Sequence, residues 1–101
     1  MERELRWSPE ASDDLEAISE FIARDSGYYA RATVSRVLQT ARDVLEHPFL
    51  GRVVPEIGHD QVRERFVYSY RLIYEVKEAE ILILAVIHGK RLLDNFASRF
   101  E

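Results

Sequence analysis

From Arg3 to Trp7 the chain alternates, with Arg3, Leu5 and Trp7 on one side and Glu4 and Arg6 on the other. A period of two with one apolar side is the signature of a strand. The pattern then changes period. Ser8 reads as a helix N-cap, Pro9 as the first helical residue, and Glu10 adds an acid to the first turn. Ala11, Leu15, Ile18 and Ile22 recur at spacings of four, three and four, which sets them on one helical stripe, and Asp13, Asp14, Glu16 and Glu20 are assigned mostly to the opposite side. Asp25-Ser26-Gly27 breaks the run. A second helix is expected from Tyr28 to Glu46, carried by Val34, Val37, Leu38, Ala41, Val44 and Leu45 and stopped by Pro48. So short a connection makes the pair an antiparallel hairpin, and neither helix can bury its stripe without a sheet beneath it.

Residues 48–60 hold two Pro and two Gly and no helical period, so they read as a loop with an extended piece near Val53-Val54. Three strands follow. Val62 to Tyr68 sets Arg63 and Arg65 against Glu64, Phe66 and Tyr68; Tyr70 to Val76 sets Tyr70, Leu72, Tyr74 and Val76 against Arg71, Ile73 and Glu75. Ile81 to Ile87 is apolar on both faces, as a strand covered on each side must be. Lys77 to Glu80 forms a polar turn before it, and Leu92, Leu93, Phe96 and Phe100 suggest a short C-terminal tail helix. The expected architecture is α+β, one domain over residues 1–101: an N-terminal strand, then a helical hairpin packed on a sheet with three C-terminal antiparallel strands.

Composition narrows the function. The 101 residues are 47% hydrophobic, too many for a disordered chain, and include no cysteine, which excludes disulfides and thiolate metal sites. No apolar run approaches the ~20 residues of a membrane span, and the acidic, alternating N-terminus is unlike a signal peptide, so a cytoplasmic protein is expected. The net charge of -4 lies entirely in residues 1–47, while residues 48–101 are balanced. An acidic total counts against duplex binding, which draws on a basic face. Twelve of the fourteen cations are Arg, however, the side chain suited to forked contacts with phosphate or carboxylate.

No nucleotide, metal or hydrolase motif is present. The candidate chemistry is a set of arginines in the second half. Arg63 and Arg65 share one strand face, Arg71 lies on the next strand, and Arg91 follows the last, three residues after His88. If the strands are neighbours, several of these side chains can converge near one end or face, and such a cluster would suit a phosphate backbone or an acidic peptide. Alternatively, Arg63 and Arg65 form the solvated side of an amphipathic strand. Arg71 stands in an apolar context, where a charge needs a partner; it is either part of such a site or half of a structural ion pair. If Arg71 and Arg91 serve a site, charge reversal at either should abolish function and leave the fold intact. Phe21, Tyr28 and Tyr29 are not needed for the inner stripe of the hairpin, so they either receive a partner or cap the hairpin turn.

Trp7-Ser8-Pro9 with Ala11 and Asp14-Leu15-x-x-Ile18, then Leu45-x-x-Pro48-x-x-Gly51, resembles the first half of ParE-type toxins. Val62-Arg63-Glu64, Tyr70-Arg71-Leu72-Ile73-Tyr74 and Ile83-Leu84-x-Val86-x-His88-Gly89-Lys90-Arg91 resemble the second half. The ordered series is similar to the ParE/RelE superfamily of type II toxin–antitoxin toxins. In its RelE branch the resemblance implies a metal-independent endoribonuclease cutting mRNA on the ribosome, with Arg63, Arg65, Arg71, Arg91 and His88 as candidate active-site residues. The tyrosine expected after Arg91 is absent. In its ParE branch it implies no enzymatic activity: the toxin binds DNA gyrase and a cognate antitoxin, in a toxin–antitoxin hetero-oligomer, with Arg71, Lys90, Arg91, Phe21, Tyr28 and Tyr29 as candidate contacts. Neither branch brings a cofactor or metal, or engages a membrane.

Overall fold

Each helix begins where a serine hydroxyl takes over from the backbone. In the computed structural model, which describes residues 2–89 and Arg99, Ser8 Oγ accepts the Ala11 N–H at 3.0 Å and Pro9 opens helix α1 (Pro9–Ala23). Ser26 Oγ accepts the Tyr29 N–H at 3.2 Å and starts helix α2 (Gly27–Glu46). Each such cap stabilises its helix by about 1 kcal/mol. Helix α2 buries Ala30, Thr33, Val37, Thr40, Ala41 and Val44. The inner stripe is therefore rotated from the expected one, and Leu38 and Val34 face the groove beside α1 together with Leu15 and Trp7.

The strands are β1 (Glu4–Trp7), β2 (Arg52–Val53), β3 (Val62–Val67), β4 (Tyr70–Val76) and β5 (Glu80–His88), in the sheet order β1-β5-β4-β3-β2. All pairs are antiparallel except β1 with β5, which run parallel from Glu4↔Glu80 to Trp7↔Ile83. The antiparallel sheet expected from the C-terminal strands is thus closed on one side by a parallel partner. The ladder between β4 and β5 slips once: Ile73 faces Ala85 and Tyr74 faces Ile83, leaving Leu84 as an extra residue. This bulge turns both Leu84 and Ala85 to one face, which is part of why β5 reads as apolar throughout.

Two apolar clusters sandwich the sheet. On the helix side Ala11, Val37, Ala41 and Val44 pack on Leu72, Tyr74, Ile81, Ile83 and Val86. Among the described residues no helix covers the outer face; Val54 and Ile57, from the loop after β2, cover Val62, Ile73, Leu84 and Ala85. Gly58, at φ 66°, turns that loop back toward β3 in a conformation few side chains tolerate. The tail helix expected from Leu92, Leu93, Phe96 and Phe100 lies outside the described residues. Among the described residues no helix is long and apolar enough to cross a membrane.

Candidate functional site

The hairpin between β3 and β4 decides which arginines can meet. Its turn is the two residues Tyr68 and Ser69, so Val67 faces Tyr70, Phe66 faces Arg71 and Arg65 faces Leu72. Facing residues share a side of the sheet. Arg63 and Arg65 therefore lie on the helix side with Tyr74 and Leu72, and Arg71 lies on the outer side with Phe66, Glu64 and Ile73. The expected convergence of Arg63, Arg65 and Arg71 does not occur.

Arg63 instead holds the loop before β2. It donates to the Asp60, Phe49 and Gly51 carbonyls at 2.8, 3.2 and 3.0 Å, and its guanidinium sits 5.0 Å from the centre of the Phe49 ring. This replaces the solvated strand face that was one reading of its position. Arg65 is half-buried beside it.

Arg71 is 3% exposed and Glu64 1%. Arg71 Nε donates to Glu64 Oε1 at 2.6 Å, and its two Nη atoms fork onto the Glu56 carboxylate at 2.9 and 2.8 Å. Arg52, whose guanidinium also lies over the Phe66 ring, donates to the second Glu64 oxygen. Two cations and two carboxylates thus balance one another, and every guanidinium nitrogen of Arg71 is engaged. Of the two roles its sequence context left open, the geometry is that of a structural ion pair. Charge reversal at Arg71 would break this network, so the expectation of an intact fold is withdrawn for that residue.

The network sets a pH dependence. The hydrogen bonds from Arg71 hold the Glu56 carboxyl at about 2, below its ordinary value of 4.5, and raise Arg71 above its own. A carboxyl lowered in the folded state contributes stability above pH 4.5, and that contribution is lost as pH falls toward 2. Glu80 is lowered in the same direction by Arg6. Glu56 is 42% exposed, so screening holds its share to about 1 kcal/mol or less. Glu56→Gln should lower the urea midpoint at pH 7 and match the wild type near pH 2. An equal gap at both pH values would show that the Glu56–Arg71 bond does not carry the effect.

The aromatic candidates do come together. Phe21, Tyr28 and Tyr29, at the connected ends of the two helices, line a groove of about 610 Å³ with Tyr68, Tyr70 and His88. The Tyr28 and Tyr29 rings meet edge to face at 5.5 Å, and the His88 and Tyr70 rings do so at 5.8 Å. The alternation from Val62 places Tyr68 at the end of the first of the three expected C-terminal strands, but it is not in β3. It lies in the turn, 68% exposed and at φ 54°, a backbone region in which a bulky residue is uncommon. Single Leu or Phe residues are ordinary on protein surfaces, but four large exposed rings around one groove form a contiguous apolar patch. Lys90 and Arg91 lie outside the described residues.

Several residues of these networks were missed. Glu56 gives no local signal, because it reaches Arg71 from a loop. Asp14 could have been found: it lies three residues from Ala11 and four from Ile18, which puts an acid on the buried stripe, and it is half-buried rather than on the solvent side.

Three comparisons bear on kinship. A family model described as "ParE toxin of type II toxin-antitoxin system, parDE" matches residues 5–93. A solved chain described as "Chromosomal ParDE TA system from P. aeruginosa" superposes with a TM-score of 0.74 at 22% identity, covering 87% of this chain and 97% of that one. At that identity the likeness speaks for the fold. No curated protein matches. With a family match that takes in β1, both helices and the rest of the sheet, the chain belongs to the ParE toxin family of type II toxin–antitoxin systems.

Proposed function

We propose that this toxin acts in the cytoplasm on DNA gyrase, as a stabiliser of its cleaved-DNA complex and not as a ribonuclease, and that a cognate antitoxin neutralises it in a hetero-oligomer. The gyrase reading is supported by membership of the ParE family, and the observation that speaks against a ribonuclease is the arginine geometry. Metal-free RNA cleavage needs cations gathered around one phosphate and free to follow its developing charge. Here Arg71 is enclosed by Glu64 and Glu56, and Arg63 and Arg65 lie on the opposite side of the sheet. The antitoxin reading is supported by the groove of Phe21, Tyr28, Tyr29 and Tyr68, an apolar surface suited to a partner's apolar segment.

The test is gyrase supercoiling of relaxed plasmid with ATP, scored for both supercoiled product and linear DNA. Dose-dependent inhibition with accumulation of linear DNA is the expected result. Protein that is folded and arrests growth, yet leaves gyrase untouched, would overturn the gyrase assignment and move attention to ribosome-dependent mRNA cleavage. Folded protein that does neither would identify an interaction module that has lost toxicity.

A further inference from the structure

Along one flank of β5 the neighbouring strand stops early. β1 pairs with β5 only as far as Ile83, after which Ser8 and Pro9 carry the chain away into α1. Among the described residues, no strand lies beside Leu84 to His88 on that side. Backbone groups left on such an edge need other partners. Helix α1 supplies them: Asp14 Oδ2 accepts the Val86 N–H at 3.1 Å, and Ser8 Oγ donates to the Leu84 carbonyl at 3.4 Å.

The same carboxylate holds a residue from far along the chain. Arg99 Nη1 donates to Asp14 Oδ2 at 2.6 Å and to the Leu84 carbonyl at 3.3 Å, while Nη2 donates to Oδ1 at 3.3 Å. Helix α1 has four other acids, Glu10, Asp13, Glu16 and Glu20, all exposed, and no cation. Arg99 is paired with the one acid that is half-buried and already fixed to the sheet, an arrangement that surface attraction alone would not select.

We propose that Asp14 is a positioning residue: it closes the open flank of β5 and fastens the chain there through Arg99. Gly89, whose N–H donates to the Ser69 carbonyl at 2.7 Å, and Arg99 are then the two fixed ends of the stretch that contains Lys90 and Arg91. For its effect on growth arrest the proposal rests on the toxin reading above; for its geometry it does not.

Three substitutions separate the two duties of Asp14. Arg99→Ala removes the fastening alone. Asp14→Asn keeps an oxygen for Val86 but loses the charge, and Asp14→Ala removes both. In the full-length protein, tryptic cleavage at Lys90 and Arg91 should quicken on the order of ten-fold in all three, the scale of a lost charge-assisted hydrogen bond. Hydrogen exchange at the Val86 amide should quicken only in Asp14→Ala; its unchanged protection in the other two shows that cleavage does not proceed through global unfolding. Arg99→Lys should be cut near the wild-type rate. Wild-type cleavage in Arg99→Ala, or wild-type Val86 exchange in Asp14→Ala, would overturn the proposal. So would faster cleavage with growth arrest undiminished, since the fastening would then position nothing that toxicity uses. If the wild type itself fails to arrest growth, the toxin reading falls, and the cleavage and exchange rates still decide the clasp.

Discussion

Arg71→Glu should unfold this protein, not merely disarm it. The substitution sets a third carboxylate against Glu64 and Glu56 in a place where Glu64 has almost no contact with water. Even Arg71→Ala, which only removes the cation, leaves Glu64 with Arg52 as its remaining partner. Breaking one side of a buried ion pair typically costs about 3–5 kcal/mol, against a total stability of about 5–15 kcal/mol for a domain. At this length each lost kcal/mol lowers the melting temperature by about 4–8 °C, so Arg71→Ala should melt at least about 12 °C below the wild type. Calorimetry or circular dichroism would measure it. Arg71→Met combined with Glu64→Leu should recover most of the loss, because apolar groups of similar volume can replace a buried pair without leaving a charge stranded. A wild-type melting temperature for Arg71→Ala would show that the pair is not closed to water as described. Loss of toxicity in an Arg71 variant is therefore evidence about a contact site only after its folding has been measured.

Gly51→Ala is the second large effect, and it comes from space alone. A methyl group at this position would stand 2.4 Å from Tyr74 Oη and 2.7 Å from the Glu64 carbonyl oxygen. Neither neighbour can retreat easily. Glu64 is paired to Arg52 within the sheet, and the buried Tyr74 hydroxyl donates to the Pro48 carbonyl at 2.7 Å. Overpacking of this kind costs about 1–3 kcal/mol, and displacing the hydroxyl from its acceptor adds about 1 kcal/mol or more. Urea denaturation should place Gly51→Ala about 3 kcal/mol below the wild type. With Tyr74→Phe the nearest clash is gone, so the double variant should lose less than the two single losses combined. Simple additivity of the two would mean that the Glu64 backbone, and not the tyrosine, is the obstacle.

The elements were largely legible because local chemistry specifies them. Ser8-Pro9 marks a helix start in any context, and the Tyr70 to Val76 alternation survives as β4 with the same bounds. The arginine site was not legible, for a reason that can be located. Extending β3 to Tyr68 and starting β4 at Tyr70 leaves a single residue for the turn, whereas a tight hairpin takes two. Ending β3 at Val67 fixes the register, and with it the separation of Arg71 from Arg63 and Arg65. The Glu56–Arg71 bond and the fastening of Arg99 to Asp14 span 15 and 85 residues, and no periodicity encodes such distances.

The parallel pairing of β1 with β5 has a consequence for how the molecule is made. Glu4 finds its partner in Glu80, so β1 must wait until β5 has been made before it can join the sheet. Until then the surface on which the helical hairpin buries Ala11, Val37 and Val44 lacks Ile81, Ile83 and Val86. Contacts this distant in sequence slow folding and leave apolar surface open while they are awaited. A nascent chain of this toxin thus carries its two amphipathic helices over an incomplete floor until β5 arrives and β1 can pair with it.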